Sequence, residues 1–290
     1  MNPRELKVGV GQLLVEGGEP HRNLQRAEEL INQAAKKRCD IVVLPECLDL
    51  GWIHPSARTE AEPIPGLRSN RLCVLAKQNH IYICAGLTEK DGEKIFNTAI
   101  LINSSGEIIL KYRKINELVV GHDIYSMGTS LSVIETPLGT IGVNICADNY
   151  IDSLAIGHTL GRMGAQIILI PSAWTVEYSE TEKDNPYQDK WLKPFNILAE
   201  LYDLVAVSAT SVGVIVGGAY EGKKSVGCSL VVDRNGIVAK GSYNEFSGEL
   251  VVADVKLTER KVRGTAIGEM LKKKGYPFAE LAYQPPYLNK

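Results

Sequence analysis

What the chain lacks narrows it first. None of its six cysteines (Cys39, Cys47, Cys73, Cys84, Cys146 and Cys228) falls in a Cys-x-x-Cys pair, and its five histidines form no His-x-His or His-Glu-x-x-His spacing. Several cysteines lie in apolar runs such as Ile81-Tyr82-Ile83-Cys84-Ala85. That pattern argues against a disulfide framework or a zinc site and predicts reduced thiols, with no metal and no other cofactor. No window approaches the roughly 20 apolar residues of a membrane helix. The start, Met1-Asn2-Pro3-Arg4-Glu5-Leu6, has no basic region ahead of a long apolar stretch. The expectation is a soluble, cytoplasmic protein without a signal peptide. Charge of one sign is also missing: 32 Lys and Arg face 34 Asp and Glu, a net −2. Nucleic acid and membranes are therefore poor partners. The chain shows no linker, repeat or low-complexity segment and reads as one domain over residues 1–290. Its tail, about 283–290 with Pro285-Pro286, reads as extended and suited to packing on a partner subunit.

Two apparent motifs fail. Gly217 to Gly222 followed by Lys223 resembles a phosphate loop, but Lys224 stands where Ser or Thr must hold magnesium. Asn103-Ser104-Ser105 is a glycosylation sequon, without meaning unless the chain is secreted.

What is present is a series of apolar runs that stop abruptly at reactive residues. Hydrophobic residues make up 44% of the chain, enough for a large core. Thr140 to Ile145 reads as a buried strand ending at Cys146-Ala147-Asp148, with Asp148-Asn149 capping a helix over 150–163. Positive charge at that helix start would favour the thiolate of Cys146. Ile41-Val42-Val43-Leu44 is a second strand, closed by Pro45 and followed by Glu46. Ile108 to Lys114 is a third, turning basic at its end. Each residue has a plain alternative: a small core hydrophobe for Cys146, a solvated loop acid for Glu46, a surface cation for Lys114. Elsewhere, helices are predicted near 21–37, 67–79 and from Asn185-Pro186. Strands are predicted at 6–14, 81–87, 95–102, 132–136, 166–170, 204–209, 226–233, 237–240 and 249–255, with loops at 51–66 and 115–129. So many hairpins fit two mixed sheets face to face with helices outside better than one doubly wound sheet.

Taken in order, strand-Pro-Glu, strand-Tyr-Arg-Lys and strand-Cys-x-Asp resemble the nitrilase, or carbon–nitrogen hydrolase, superfamily. The likeness extends to Lys7 to Gln12, Asn97-Thr98-Ala99, Pro171-Ser172-Ala173-Trp174 and Gly227-Cys228-Ser229. It implies an α/β, four-layer αββα sandwich and a catalytic triad of Glu46, Lys114 and Cys146. It also implies a homodimer or larger homo-oligomer.

In such a triad Glu46 would take the thiol proton and Cys146 would attack a carbonyl. Lys114 and the backbone N–H of Ala147 would stabilise the oxyanion, and a thioester would then be hydrolysed. The substrate would be a small linear amide, or next an N-carbamoyl (ureido) compound, with a nitrile least favoured. Tyr150 and Trp174, beside strand ends, are the expected substrate contacts; Trp52 could wall the pocket or be an ordinary half-buried loop ring. Asp148 is expected to hold the turn rather than to react. One departure stands out. Many members of the superfamily carry a second glutamate after the lysine, and counting back from Gly128 lands on Gly121, so Glu117 is the expected substitute. That altered segment leaves open a binding protein that keeps the fold without turnover. Cys47, beside Glu46, is the one candidate partner for a redox role of Cys146.

Overall fold

The computed structural model describes residues 4–182 and 187–259. The predicted tail at 283–290 and the helix start at Asn185-Pro186 lie outside the described residues.

The first half of the chain builds one sheet. β1 (Arg4–Leu14), β2 (Ile41–Val43) and β3 (Tyr82–Asp91) run parallel, β4 (Lys94–Ile102) pairs antiparallel with β3, and β5 (Ile108–Arg113) pairs antiparallel with β4. The second half builds another. β6 (Val133–Thr136) and β7 (Gly139–Val143) form a hairpin, followed by β8 (Ile167–Ser172) and, after the two-residue β9 (Thr175–Val176), by β10 (Val205–Val214). β7, β8 and β10 are parallel. β11 (Lys224–Val226) extends the end of β10, while β12 (Leu230–Asp233) and β13 (Gly236–Lys240) complete the second sheet. The last strand among the described residues, β14 (Glu249–Leu257), crosses back and pairs antiparallel with β1. The sheet orders are thus β5-β4-β3-β2-β1-β14 and β6-β7-β8-β10-β12-β13, joined where Leu13 and Leu14 of β1 pair with Ser211 and Val212 of β10.

Alternation of side chains explains the layering. On β2, Ile41 and Val43 enter the core between the sheets, whereas Val42 and its neighbour Leu44 face the opposite way. Tyr82 and Cys84 against Ile83 and Ala85 on β3, and Ala99 and Leu101 against Ile100 and Ile102 on β4, repeat the pattern. The outward set is covered by α1 (Pro20–Lys36) and by a second, 13-residue helix, Leu67–Asn79. From α1 come Leu24, Ala27, Leu30, Ile31 and Ala34 in one stripe. Each fully buried leucine or isoleucine contributes roughly 1.5–3 kcal/mol. On the other side Ile167 to Ile170 is buried on both faces. Leu160 of the helix Ala155–Arg162 and Phe195, Leu198 and Ala199 of the helix Tyr187–Tyr202 pack into the same core. The result is the α/β four-layer sandwich, with helices outside two mixed sheets.

Several boundaries differ from expectation. The strand before Cys146 ends at Val143, and the predicted helix over 150–163 is two short 3-10 turns, Cys146–Asn149 and Ile151–Ser153, before a helix that starts only at Ala155. Gly227 (φ 72°) and Cys228 (φ 61°) break the expected strand 226–233 into β11 and β12. The loop 51–66 contains a one-turn helix, Ala57–Glu60.

Candidate active site

Three strand ends converge. Pro45 has no N–H to continue β2, and its carbonyl accepts from Gly86 N at 3.0 Å, while Glu46 N donates to Ser172 O at the end of β8 at 3.3 Å. Glu46 is therefore clamped between the two sheets. Lys114 follows β5 directly; its N–H donates to Asn97 O at 2.9 Å and its carbonyl accepts from Gly128 N at 2.7 Å. Cys146 opens the turn after β7 with φ at +43°, a left-handed conformation that costs a non-glycine residue about 1 kcal/mol.

That turn is held by polar groups rather than by a long helix. Asp148, expected to cap a helix, instead accepts from Tyr112 Oη (2.7 Å), Asn116 N (2.8 Å) and Ile145 N (2.8 Å). This is the structural part expected of it. Asn144 and Asn149 exchange amide hydrogen bonds at 3.0 Å, and Asn149 Nδ2 also donates to the Cys146 carbonyl at 3.2 Å. The second bond orients the Cys146–Ala147 peptide, which carries the Ala147 N–H.

At the centre Lys114 Nζ donates to Glu46 Oε1 at 2.6 Å and to Glu117 Oε1 at 3.3 Å, with all three side chains buried. Asn97 Nδ2 bridges the two acids, 2.6 Å from Glu46 Oε1 and 3.2 Å from Glu117 Oε2. Trp52 Nε1 donates to Glu117 Oε1 at 3.1 Å. Glu117 thus stands against Lys114, and a Cβ built on Gly121 would lie 2.9 Å from its Oε1. The space beside residue 121 is filled by the carboxyl group of residue 117.

Electrostatics follow from two acids, one ammonium and a thiol away from water. Burial pushes the Glu46 carboxyl above its ordinary range; Lys114 opposes this and Glu117 adds to it. Burial works against the charge of Lys114, yet Glu117, Glu46 and Cys146 together hold it protonated well above the ordinary lysine range. Burial and then the charge of Glu46 raise the Cys146 thiol, outweighing Lys114 and a backbone hydrogen bond at Ala173. The help expected from a helix start is therefore missing: a four-residue 3-10 turn stands there, and burial with Glu46 holds the thiol above its ordinary range. All six cysteines are free, and Cys47 lies in a separate small cluster with Trp52, Ile53 and Tyr125, its Sγ 3.7 Å from Tyr125 Oη.

Cys146 opens into a cleft of about 440 Å³ walled by Trp52, Leu118, Tyr150, Trp174, Trp191 and Tyr220. Trp174 stacks on Trp191, centroids 4.8 Å apart and planes 8° apart, and Tyr150 leans on Trp191 at 4.9 Å. Both predicted contact residues, Tyr150 and Trp174, line it, and Trp52 is a wall rather than an idle loop ring. Trp191 belongs to the core of its helix and to the cleft wall at once, and an apolar helical spacing reports only the first of these. Asn97 was visible as part of a motif but not as a site residue, although an asparagine inside an apolar strand must find partners.

The carbon–nitrogen hydrolase family matches residues 7–262. The omega-amidase NIT2 of Xenopus tropicalis is 34% identical over 164 residues, 53% of this chain and 59% of that protein, so the chain spans about three fifths of that relative's length. A nitrilase of Pyrococcus abyssi is 33% identical over 180 residues, 60% of this chain and 67% of that one. Among solved structures, Saccharomyces cerevisiae Nit3, of the nitrilase superfamily, superposes with a TM-score of 0.74 at 27% identity, covering 87% of this chain and 90% of that one. An amidase from Nesterenkonia sp. AN1, captured with acrylamide added to its active-site cysteine, has the same TM-score at 17% identity over 86% of this chain and 93% of its own, a likeness of fold. With a family match over residues 7–262, the chain belongs to the carbon–nitrogen hydrolase family.

Proposed function

We propose that this chain is a thiol-dependent hydrolase of small-molecule amides that works through a thioester on Cys146, with Glu46 and Lys114 as its catalytic partners. The observation that carries the reading is the buried Lys114 ammonium, held by Glu46 at 2.6 Å and Glu117 at 3.3 Å where the ends of β2 and β5 meet the turn that presents Cys146. Glu46 takes the proton of Cys146 as sulfur bonds to the amide carbon, and the oxyanion is met by Lys114 and the Ala147 N–H. The C–N bond then breaks while Glu46 returns its proton to the leaving nitrogen. Water, deprotonated by Glu46, adds to the thioester, the C–S bond breaks and Cys146 regains its proton. The names omega-amidase and deaminated glutathione amidase among the relatives favour a linear amide. An N-carbamoyl compound is second, since it needs the same acyl transfer. Glu117 is read as the acid that holds Lys114. Homo-oligomerisation and a cytoplasmic location belong to the same reading; sedimentation of the purified chain tests the first.

The direct test is intact mass after brief incubation with small amides, N-carbamoyl amino acids and nitriles. A substrate-dependent acyl adduct on the wild type, absent from Cys146→Ala, is expected, and its mass identifies the acyl group. No adduct and no product from any of them, with Cys146 also unreactive towards an electrophile, would favour the noncatalytic binding protein instead.

A further inference from the structure

Glu46 has two oxygens in unlike surroundings. Oε1 accepts from Lys114 and Asn97, both at 2.6 Å, whereas Oε2, fully buried, finds no hydrogen-bond partner among the described residues. Thr175 Oγ1 is the same: buried, and without a hydrogen-bond partner among the described residues. Each such group is costly unless something polar reaches it. A second cleft is lined by both residues. It shares Trp52, Ala173 and Thr175 with the cleft of Cys146, but it is lined by Glu46 instead of the cysteine. Its walls carry His54, Ser211 and Ser225, and Val216, 62% exposed, stands at its edge. Glu46 is thus open to a cleft that does not include Cys146, while Thr175 borders both clefts.

The geometry points to the second cleft as the water port of thioester hydrolysis, with Thr175 Oγ1 positioning the attacking water against Glu46 Oε2. The assignment rests on the hydrolase reading above. A water held by Thr175 gives one proton to Glu46 Oε2 as its oxygen bonds to the thioester carbon. The C–S bond breaks, the proton passes from Glu46 to the Cys146 sulfur, and a carboxylic acid and the thiol result. A separate port makes sense of the chemistry, because an acyl group filling the aromatic cleft shuts out water from that side.

The test follows a preformed thioester. The wild type is acylated with the amide that gives the mass adduct, freed of excess substrate, and the adduct's decay is timed by quenched intact mass. Thr175→Val keeps the shape and β-branching of the side chain and is expected to slow decay about tenfold, while Thr175→Ser, which keeps the hydroxyl, stays within about twofold of the wild type. Val216→Trp, at the exposed rim and remote from folding, is expected to slow decay as well. The ratio of decay rate to acylation rate should fall in Thr175→Val and Val216→Trp and hold in Thr175→Ser, whereas a merely structural defect would lower both steps alike. Decay at the wild-type rate in Thr175→Val and Val216→Trp, or equal losses in acylation and decay, overturns the port and leaves the hydrolase standing. A wild type that forms no thioester overturns both.

Discussion

Glu117 shows how one carboxylate can be supplied from another point in the chain. It lies three residues beyond Lys114 and returns to it at 3.3 Å, steadied by Trp52 and Asn97. Gly121 is the complement: any side chain there would meet the Glu117 carboxyl group, with a Cβ 2.9 Å from Oε1 and 3.1 Å from Cδ. The two positions therefore compete for one space. Glu117→Ala should lower kcat/KM by about 100-fold by freeing Lys114 from one of its two acids. Adding Gly121→Asp to that variant should recover about tenfold, since a carboxylate carried by the new Cβ enters the vacated volume. Steady-state kinetics of the two variants read this directly. A double variant no better than Glu117→Ala would show that the position of the carboxylate, and not just its charge, is what Lys114 requires.

At the scale of elements, each site residue sits where a strand stops, and what stops it is partly written in the sequence. Pro45 after Val43 and the basic run at Arg113-Lys114 announce two ends. The third was harder to see, because Asn144 and Ile145 extend an apolar run that looks like strand, while the asparagine pair and Asp148 bend the backbone into a turn. Those are contacts between residues near in sequence whose partners, Tyr112 and Asn116, come from β5 and the segment after it; no local pattern reports them. Trp52 was ambiguous for the same reason: its partner, Glu117, is 65 residues away. The helix faces and the sheet alternation, by contrast, depend on local period alone and were legible. Gly86 is a test of how tightly the elements fix the site. It lets β3 pass under the Glu46 bend, where a Cβ would come within 2.6 Å of Glu46 Cα and 2.8 Å of Pro45 O. Both atoms are backbone and cannot turn aside. Gly86→Ala should therefore push Glu46 out of place and lower kcat about 100-fold, with circular dichroism still that of a folded protein. Near-normal turnover would mean that the bend is looser than its hydrogen bonds to β3 and β8 imply.

For the molecule as a whole the site is a burden on stability. Two buried carboxylates share one ammonium and leave an excess negative charge, and burial is the largest cause of the rise at Glu46, as it is at Asp49 and Asp148. A carboxyl group whose folded pKa is raised stabilises the fold fully below the ordinary carboxylate range, where it is neutral in both states. That contribution is lost as pH rises through the folded value. Glu89 has the opposite sign: burial raises it, but bonds to Arg113, Lys111 and Thr98 together bring it below the ordinary value, so its contribution is present at neutral pH and lost in acid. Glu46→Gln removes the excess charge while leaving Lys114 paired with Glu117 and an amide oxygen able to accept from Asn97. The variant should lose activity and yet be more stable than the wild type by about 1 kcal/mol near neutral pH, an increase of about 2–4 °C in Tm. The gap should narrow as pH is lowered through the raised folded value of Glu46 and close in the ordinary carboxylate range, where the wild-type group is neutral in the folded state as well. Thermal melts of both proteins across that range decide the matter. A variant less stable than the wild type at every pH would mean that the attraction between Glu46 and Lys114 exceeds the cost of burying the second acid.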